Sequence, residues 1–473
     1  MSSVKATDGL GQHATVRVVL IAAAAALGGF LFGFDTAVIN GAVDAIRGSF
    51  SLDAAQTGFA VSCALLGSAL GAWYAGMLAN RWGRVRTMQV AAVLLVAAAL
   101  GSGLAFHVWD LIVWRLVGGI GVGVASVIAP TYIAEVAPAR IRGRLGSMQQ
   151  LAIVLGIFAA LLSDAWLADL AGGAAHTLWL GLPAWRWMFL AAVTPALVYG
   201  LLVLGVPESP RHLVAKGRLA EARVVLQEVL DMHNDQALGK KLADIEDSLR
   251  SEHKPRLSDL RGAAAGLLPI VWVGILLSVF QQFVGINVIF YYSSTLWHSV
   301  GFSEADSFTI TVATSIVNVL VTLVAISLVD KIGRKPLLVI GSAGMAVTLG
   351  AMAWCFSQAT GSGAELSLPG SVGIVALVAA NAYVVFFGVS WGPVVWVLLG
   401  EMFPNRIRAT ALAVAASAQW LANFAITSTF PALAELGLTF AYGLYAGFAL
   451  LSLMFVLYAV RETKGVELED MRA

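Results

Sequence analysis

The sequence predicts an all-α membrane protein of twelve spanning helices in two six-helix pseudo-symmetric bundles, with short polar helices between them. Three observations carry that expectation. Of 473 residues, 59% are hydrophobic and 12% charged, against roughly 25% charged in a soluble domain. Apolar runs of about 20 residues, the length that crosses a bilayer core, recur twelve times. The motifs that close the runs of the first half reappear, in the same order, in the second. A formal charge of +1 lacks the basic excess of a nucleic-acid binder. Cys63 and Cys355 both lie in apolar runs, so neither a disulfide framework nor a metal site is expected, and no cofactor.

The runs cover residues 16–43, 54–79, 86–106, 109–136, 146–168, 185–206, 266–296, 307–330, 336–357, 371–402, 408–431 and 436–460. The first is too long for a signal-peptide core of about 7–15 residues and lacks a small-residue cleavage site before Asp35. One long polar stretch, 207–262, with helical patterns at 219–230 and 238–249, separates a bundle at 1–206 from a bundle at 263–473.

Charge in the short loops orients the runs, because cytoplasmic loops collect Lys and Arg. Arg81, Arg84 and Arg86 follow run two, Arg140, Arg142 and Arg144 run four, Lys331, Arg334 and Lys335 run eight, and Arg406 and Arg408 run ten. The opposite loops hold Arg47 and Arg186 and many acids: Asp44, Asp53, Asp110, Asp164, Asp169, Glu304, Asp306, Glu365 and Glu435. Both termini and the central stretch are therefore expected in the cytoplasm.

The halves echo each other at three places. Asn80-Arg81-Trp82-Gly83-Arg84 corresponds to Asp330-Lys331-Ile332-Gly333-Arg334, and Glu135-Val-Ala-Pro138-Ala-Arg140-Ile-Arg142 to Glu401-Met-Phe-Pro404-Asn-Arg406-Ile-Arg408. Pro207-Glu208-Ser209-Pro210-Arg211 has a weaker echo in Arg461-Glu462-Thr463-Lys464-Gly465. Two parallel repeats imply a substrate site near the midplane, between halves that rock about it.

These motifs, together with Arg115-x3-Gly119-x-Gly121-x-Gly123, Gln281-Gln282-Phe-x-Gly285-x-Asn287 and Trp391-Gly392-Pro393-x-x-Trp396, resemble those of the sugar porter family of the major facilitator superfamily over nearly the whole chain. The likeness is greatest to bacterial proton symporters for D-xylose and hexoses. It implies a multi-pass protein of the bacterial inner membrane, working as a monomer in the lipid bilayer on a monosaccharide and a proton, and not an enzyme.

Asp35 interrupts an apolar run, where an ionised carboxylate is costly unless paired or solvated. It is a proton-carrier candidate; a permanent ion pair fixing helix packing is the alternative. Proton-coupled members of the family have Asp at this position and facilitative glucose transporters have Asn. Arg115 is its natural partner, with Gly119 and Gly123 one and two turns along, where small residues let another helix approach. Deprotonated Asp35 would bind Arg115 and protonation would release it, since an adjacent cation favours the ionised carboxylate. The alternative is that Arg115 snorkels to the interface.

Sugar recognition needs neutral hydrogen-bonding groups and a flat ring. Gln150, Gln281, Gln282, Asn287, Asn318, Gln419 and Asn423 supply the first, and amides at bilayer depth are costly unless bonded. Helix–helix glue is the competing role, the more so for Asn318 and Asn423. Gln282 and Asn287 would stand about 140° apart on a regular helix, and Gly285 offers a break that brings both to one cavity. Family sugar positions coincide with Gln150, Gln281, Gln282, Asn287, Trp396 and Trp420; Tyr291, Phe32 and Phe387 are weaker members. Gly392-Pro393 should bend run ten. At the arginine-rich end, Glu135, Glu208 and Glu401 are set against Arg84, Arg142, Arg334 and Arg408, a cluster expected to hold the halves together when the cavity opens outward.

Two departures bear on the substrate. The resemblance puts Ile157 where xylose symporters have glutamine and glucose facilitators isoleucine, and Ala192 where the xylose symporter has glutamate. They tilt the expectation to glucose, with xylose next, imported by proton symport; a facilitative uniporter of the same fold is the alternative.

Overall fold

The computed structural model describes residues 12–136, 142–230, 234–251, 257–262, 265–360, 367–404 and 407–463. Among them are twelve helical segments long and apolar enough to cross a membrane: spans Arg17–Phe50, Ala54–Trp82, Arg84–Leu104, Val108–Val136, Met148–Ala171 and Ala184–Leu204, then Pro269–Ser299, Glu304–Val329, Arg334–Ser357, Gly370–Met402, Thr410–Leu436 and Leu438–Ala459. Each coincides with one expected run. Between the sixth and seventh lie the polar helices Leu219–Leu230 and Asp235–Ser251.

The packing repeats as the sequence does. Span one lies against five, two against four and three against six; seven lies against eleven, eight against ten and nine against twelve. The halves touch through span two with eleven and span five with eight, pairs that a two-fold axis exchanges. This is the two-bundle architecture that the echoed motifs imply.

Four spans are broken. The first runs as Gln12–Ala37, a 3-10 turn Asn40–Ala42 and a short helix Val43–Phe50. The sixth divides at Ala192 into Ala184–Ala191 and Val193–Leu204. The seventh divides at Gly285, whose φ of +87° favours glycine. The tenth breaks at Ser390, two residues before the Gly392-Pro393 expected to bend it. The difference has a simple cause. Pro393 falls in the first turn of Trp391–Met402, where an amide has no helical partner and proline costs nothing. The break itself is held by Ser390 Oγ, which donates to Phe386 O at 2.5 Å, and by Trp391 Nε1, which donates to Ser342 Oγ at 2.9 Å.

The glycines after Arg115 do something other than expected. A Cβ on Gly119 would stand 2.0 Å from Ala64 O, and on Gly123 2.1 Å from Ser68 O. They let span four meet span two, not span one; it is Gly118 that lies beside Asp35. Close approach at glycine is how apolar helices gain van der Waals contact without a hydrophobic driving force.

Candidate sugar and proton sites

The breaks in spans seven and ten face each other. Gln281 Nε2 donates to Trp391 O at 2.8 Å and to Gly392 O at 3.3 Å, carbonyls at the start of the second half of span ten. Gln282 Nε2 donates to Gln281 Oε1 at 3.3 Å, and Asn287 Nδ2 to Gln282 Oε1 at 2.6 Å. That last bond crosses Gly285, so the break does bring residues five apart to one side. Phe387 packs its ring toward Gly392, closing this amide row from span ten.

The other expected residues lie on spans one, five, seven, eight, ten and eleven. Tyr291 is buried close to Asn423 of span eleven and Thr36 of span one. Asn423 Oδ1 accepts from Thr427 Oγ1. Trp420 is half-buried with its ring 5.5 Å from that of Phe32 in the first half. Gln419 is half-buried with Oε1 out of solvent and without a hydrogen bond. Gln150 and Ile157 stand half-buried on span five, Asn318 is buried on span eight, and Trp396 keeps 42% of its surface exposed.

Asp35 and Arg115 meet. Arg115 is 3% exposed, so it does not snorkel to an interface. Its Nη1 lies 3.8 Å from Asp35 Oδ2 but donates to the backbone oxygen of Asp35 at 3.1 Å, and Nη2 donates to Val61 O at 3.4 Å. Phe189 lies under the guanidinium at 5.8 Å, within cation–π reach. Asp35 Oδ2 itself accepts no hydrogen bond. The pair is therefore a loose ionic contact, with the cation anchored on carbonyls. Thr36, the next residue, donates to Phe32 O at 2.7 Å and lies close to Tyr291.

At the arginine-rich end the clusters differ in detail from expectation. Arg84 makes a two-pronged contact with Glu135, at 2.7 and 2.9 Å, and Arg334 with Glu401, at 2.7 and 3.1 Å. Glu208 does not seek an arginine side chain: it accepts from the backbone amides of Arg84 and Val85 at 2.9 and 3.3 Å. Glu462 takes the amides of Arg334 and Lys335 at 3.0 and 2.9 Å. Both helices begin at a glycine in the left-handed region, Gly83 and Gly333, which leaves first-turn amides free and partial positive charge for a carboxylate. Glu462 was missed as a functional residue, although its alignment with Glu208 in the weakest echo was the signal. Arg408 donates to Phe403 O at 3.1 Å, a carbonyl instead of an acid. The side chain of Arg142 lies outside the described residues. His212, buried beside Arg84 Nη1 at 3.2 Å, has its pKa pushed down, first by burial and then by the cations Arg84 and Lys216, against Glu208 and Glu135.

Asp164 overturns its placement in an outer loop. It lies within span five, completely buried, with Oδ2 accepting from the amide of Gly41 at 3.3 Å. Opposite it, Asn40 ties the first half to the second. Its Nδ2 donates to Phe290 O at 2.9 Å, its Oδ1 accepts from Ser294 N at 3.2 Å, and its backbone oxygen accepts from Ser294 Oγ at 2.7 Å. Spans two and eleven, one of the two pairs that join the halves, also meet at this end, where a Cβ on Gly58 would stand 2.0 Å from Ser428 O.

A family model described as "Sugar (and other) transporter" matches residues 21–473. The chain belongs to this sugar porter family. It is 58% identical to a glucose transport protein of Synechocystis sp., covering 96% of this chain and 97% of the relative. It is 37% identical to the D-xylose-proton symporter of Escherichia coli, covering 98% and 96%. Among solved structures it is similar to the inward open conformation of the E. coli xylose transporter XylE, with 36% identity, a TM-score of 0.81, and 96% and 99% of the two chains covered. Against the same symporter bound to 6-bromo-6-deoxy-D-glucose, covering 97% and 98%, the TM-score is 0.77 at 36% identity. This sugar porter is thus a multi-pass membrane transporter of the major facilitator fold and not an enzyme.

Proposed function

We propose that this sugar porter imports a monosaccharide, glucose before xylose, by proton symport with alternating access. The observation that carries the coupling is the Asp35–Arg115 contact, with Thr36 and Tyr291 close beside it. A proton on Asp35 removes its charge from Arg115, and the neighbouring Thr36 transmits the change across the halves to the sugar-facing tyrosine. Gln150, Ile157, Gln281, Gln282, Asn287, Tyr291, Asn318, Phe387, Trp396, Gln419 and Trp420 form the sugar site in this reading. Glucose is supported by the 58% identity to a glucose transport protein and by Ile157. The arginine-rich end, with both termini, faces the cytoplasm. Closure at the opposite end, with the likeness to an inward open relative, supports an inward-facing state. In that state Arg84–Glu135 and Arg334–Glu401 each bind within one half, ready to close across both when the cavity turns outward.

The test is sugar-driven alkalinisation of the medium around vesicles carrying the full chain, compared in Asp35→Asn. Symport predicts alkalinisation and accumulation in the parent, both lost in the variant while counterflow exchange survives. Sugar exchange without any pH change in the parent overturns symport and leaves a facilitative uniporter.

A further inference from the structure

Asp164 is the second carboxyl that the structure buries in the membrane, and the sugar and proton sites make no use of it. It has 0% exposure, Oδ1 has no hydrogen-bond partner, and Oδ2 has only the amide of Gly41. The helices and turn packed against span five bring no cation to it. Asp35 of span one is held toward Arg115, and Arg186 of span six is spent on the carbonyls of Gly103 and Ala105. Glu304 of span eight bonds the amide of Ala174. Asp44, just past the turn, lies by His298, and Asp169 on its own helix is exposed. An ionised carboxylate in such a place is costly unless it is paired or solvated.

Its hydrogen-bond partner, the amide of Gly41, sits on the turn that meets the other half. Gly41 belongs to the 3-10 turn whose preceding residue, Asn40, bonds Phe290 and Ser294 of the other half. Asn40 bonds the carbonyl of Phe290 and the amide of Ser294 on the helix Ile286–Ser299, so these are bonds that must break when the halves part at this end. Opening this end releases the turn, and with it the cover over Asp164. The opposite end offers Asp164 no exit, since it is fully buried while the halves are closed here.

Resting on the symport reading, we propose that Asp164 is a gate-linked proton site: it takes a proton from the outer solution as the outer end closes and returns it to the same solution as that end opens. The proton is bound to Asp164 on closing and lost on opening, so no proton crosses the membrane through it. Low outer pH then favours the closed outer gate, and the proton-to-sugar ratio is unaffected.

The experiment places a reporter thiol at the gate, Ser428→Cys, in a chain with Cys63→Ala, Cys355→Ala and Asp35→Asn, in right-side-out vesicles. Labelling by a membrane-impermeant maleimide is followed against outer pH and divided by that of Phe106→Cys, an exposed position on the same side, which removes the thiol's own pH dependence. The exposed pairs Arg47–Glu435 and His298–Asp44 also cross this gate, so the informative quantity is the difference made by Asp164→Asn. With Asp164, normalised labelling should rise with pH, by up to about tenfold per pH unit for one linked proton; with Asp164→Asn that component should vanish while counterflow persists. Asn40→Ala should raise labelling at every pH and keep the slope, which tests the site with its carboxyl intact. An unchanged slope in Asp164→Asn overturns the proposal. So does a lower proton-to-sugar ratio in Asp164→Asn made with Asp35 intact, which would make Asp164 a carrier of transported protons. Absence of counterflow in the parent chain would instead refute sugar transport, with the labelling result standing apart.

Discussion

Adding a single methyl group at Gly285 should separate the two amides that the break brings together. In Gly285→Ala the new residue must either hold φ near +87° or abandon it. Holding it costs about 1–2 kcal/mol for an L-residue in the left-handed region. The methyl would also stand 2.8 Å from Tyr445 Cδ2, and overpacking of a dense site costs about 1–3 kcal/mol. Together, about 2–5 kcal/mol favours closing the break into continuous helix. That turns Gln282 and Asn287 about 140° apart and breaks their 2.6 Å bond. At about 1.4 kcal/mol per decade, even the lower figure corresponds to more than a tenfold weakening if it is all charged to the sugar-competent form. The assay is half-saturation for sugar counterflow in proteoliposomes, with membrane yield and monodispersity in detergent as the folding control. A well-folded Gly285→Ala protein with unchanged half-saturation would refute the role assigned to the break.

Three further outcomes are expected. Glu208→Ala and Glu462→Ala each remove a carboxylate from two first-turn amides, and each should lower stability by about 2 kcal/mol in denaturation of the detergent-solubilised protein; lying in opposite halves, the two losses should add. Gly119→Leu should yield no folded protein, because the obstacle at 2.0 Å is the backbone oxygen of Ala64, whereas Gly76→Ala, which meets nothing within 4 Å, should leave yield and transport intact. His212 has its pKa lowered in the folded protein by burial and by Arg84. As pH falls through the ordinary histidine range near 6.5 the unfolded chain takes the proton first, so stability declines toward acid. His212→Gln should flatten the acid side of a thermal-stability profile and leave it unchanged above about pH 7.5.

Hydropathy and repetition made most of the fold legible, since lipid imposes helices of one length and the packing of span one on five, two on four and three on six recurs as seven on eleven, eight on ten and nine on twelve. Charge reads less directly, because a sequence shows that a carboxyl is near the end of a run but not what surrounds it. Asp35 stood out only because apolar residues flank it on both sides. Asp164 is followed within five residues by Asp169 and precedes a glycine-rich loop, so it read as solvated, yet the helix runs on to Ala171 and the turn at Gly41 closes over it. Glu208 errs in the opposite sense: nearby arginines suggest an ion pair, and its partners are first-turn amides exposed by Gly83, as those of Glu462, which no such reading singles out, are exposed by Gly333. In each case the deciding partner is a backbone group set free by a break in regular helix. Breaks depend on φ and on close approach, as at Gly285 and Ser390, and neither is written in residue type alone. A carboxyl in a transporter of this kind is therefore best judged by which broken helix lies against it.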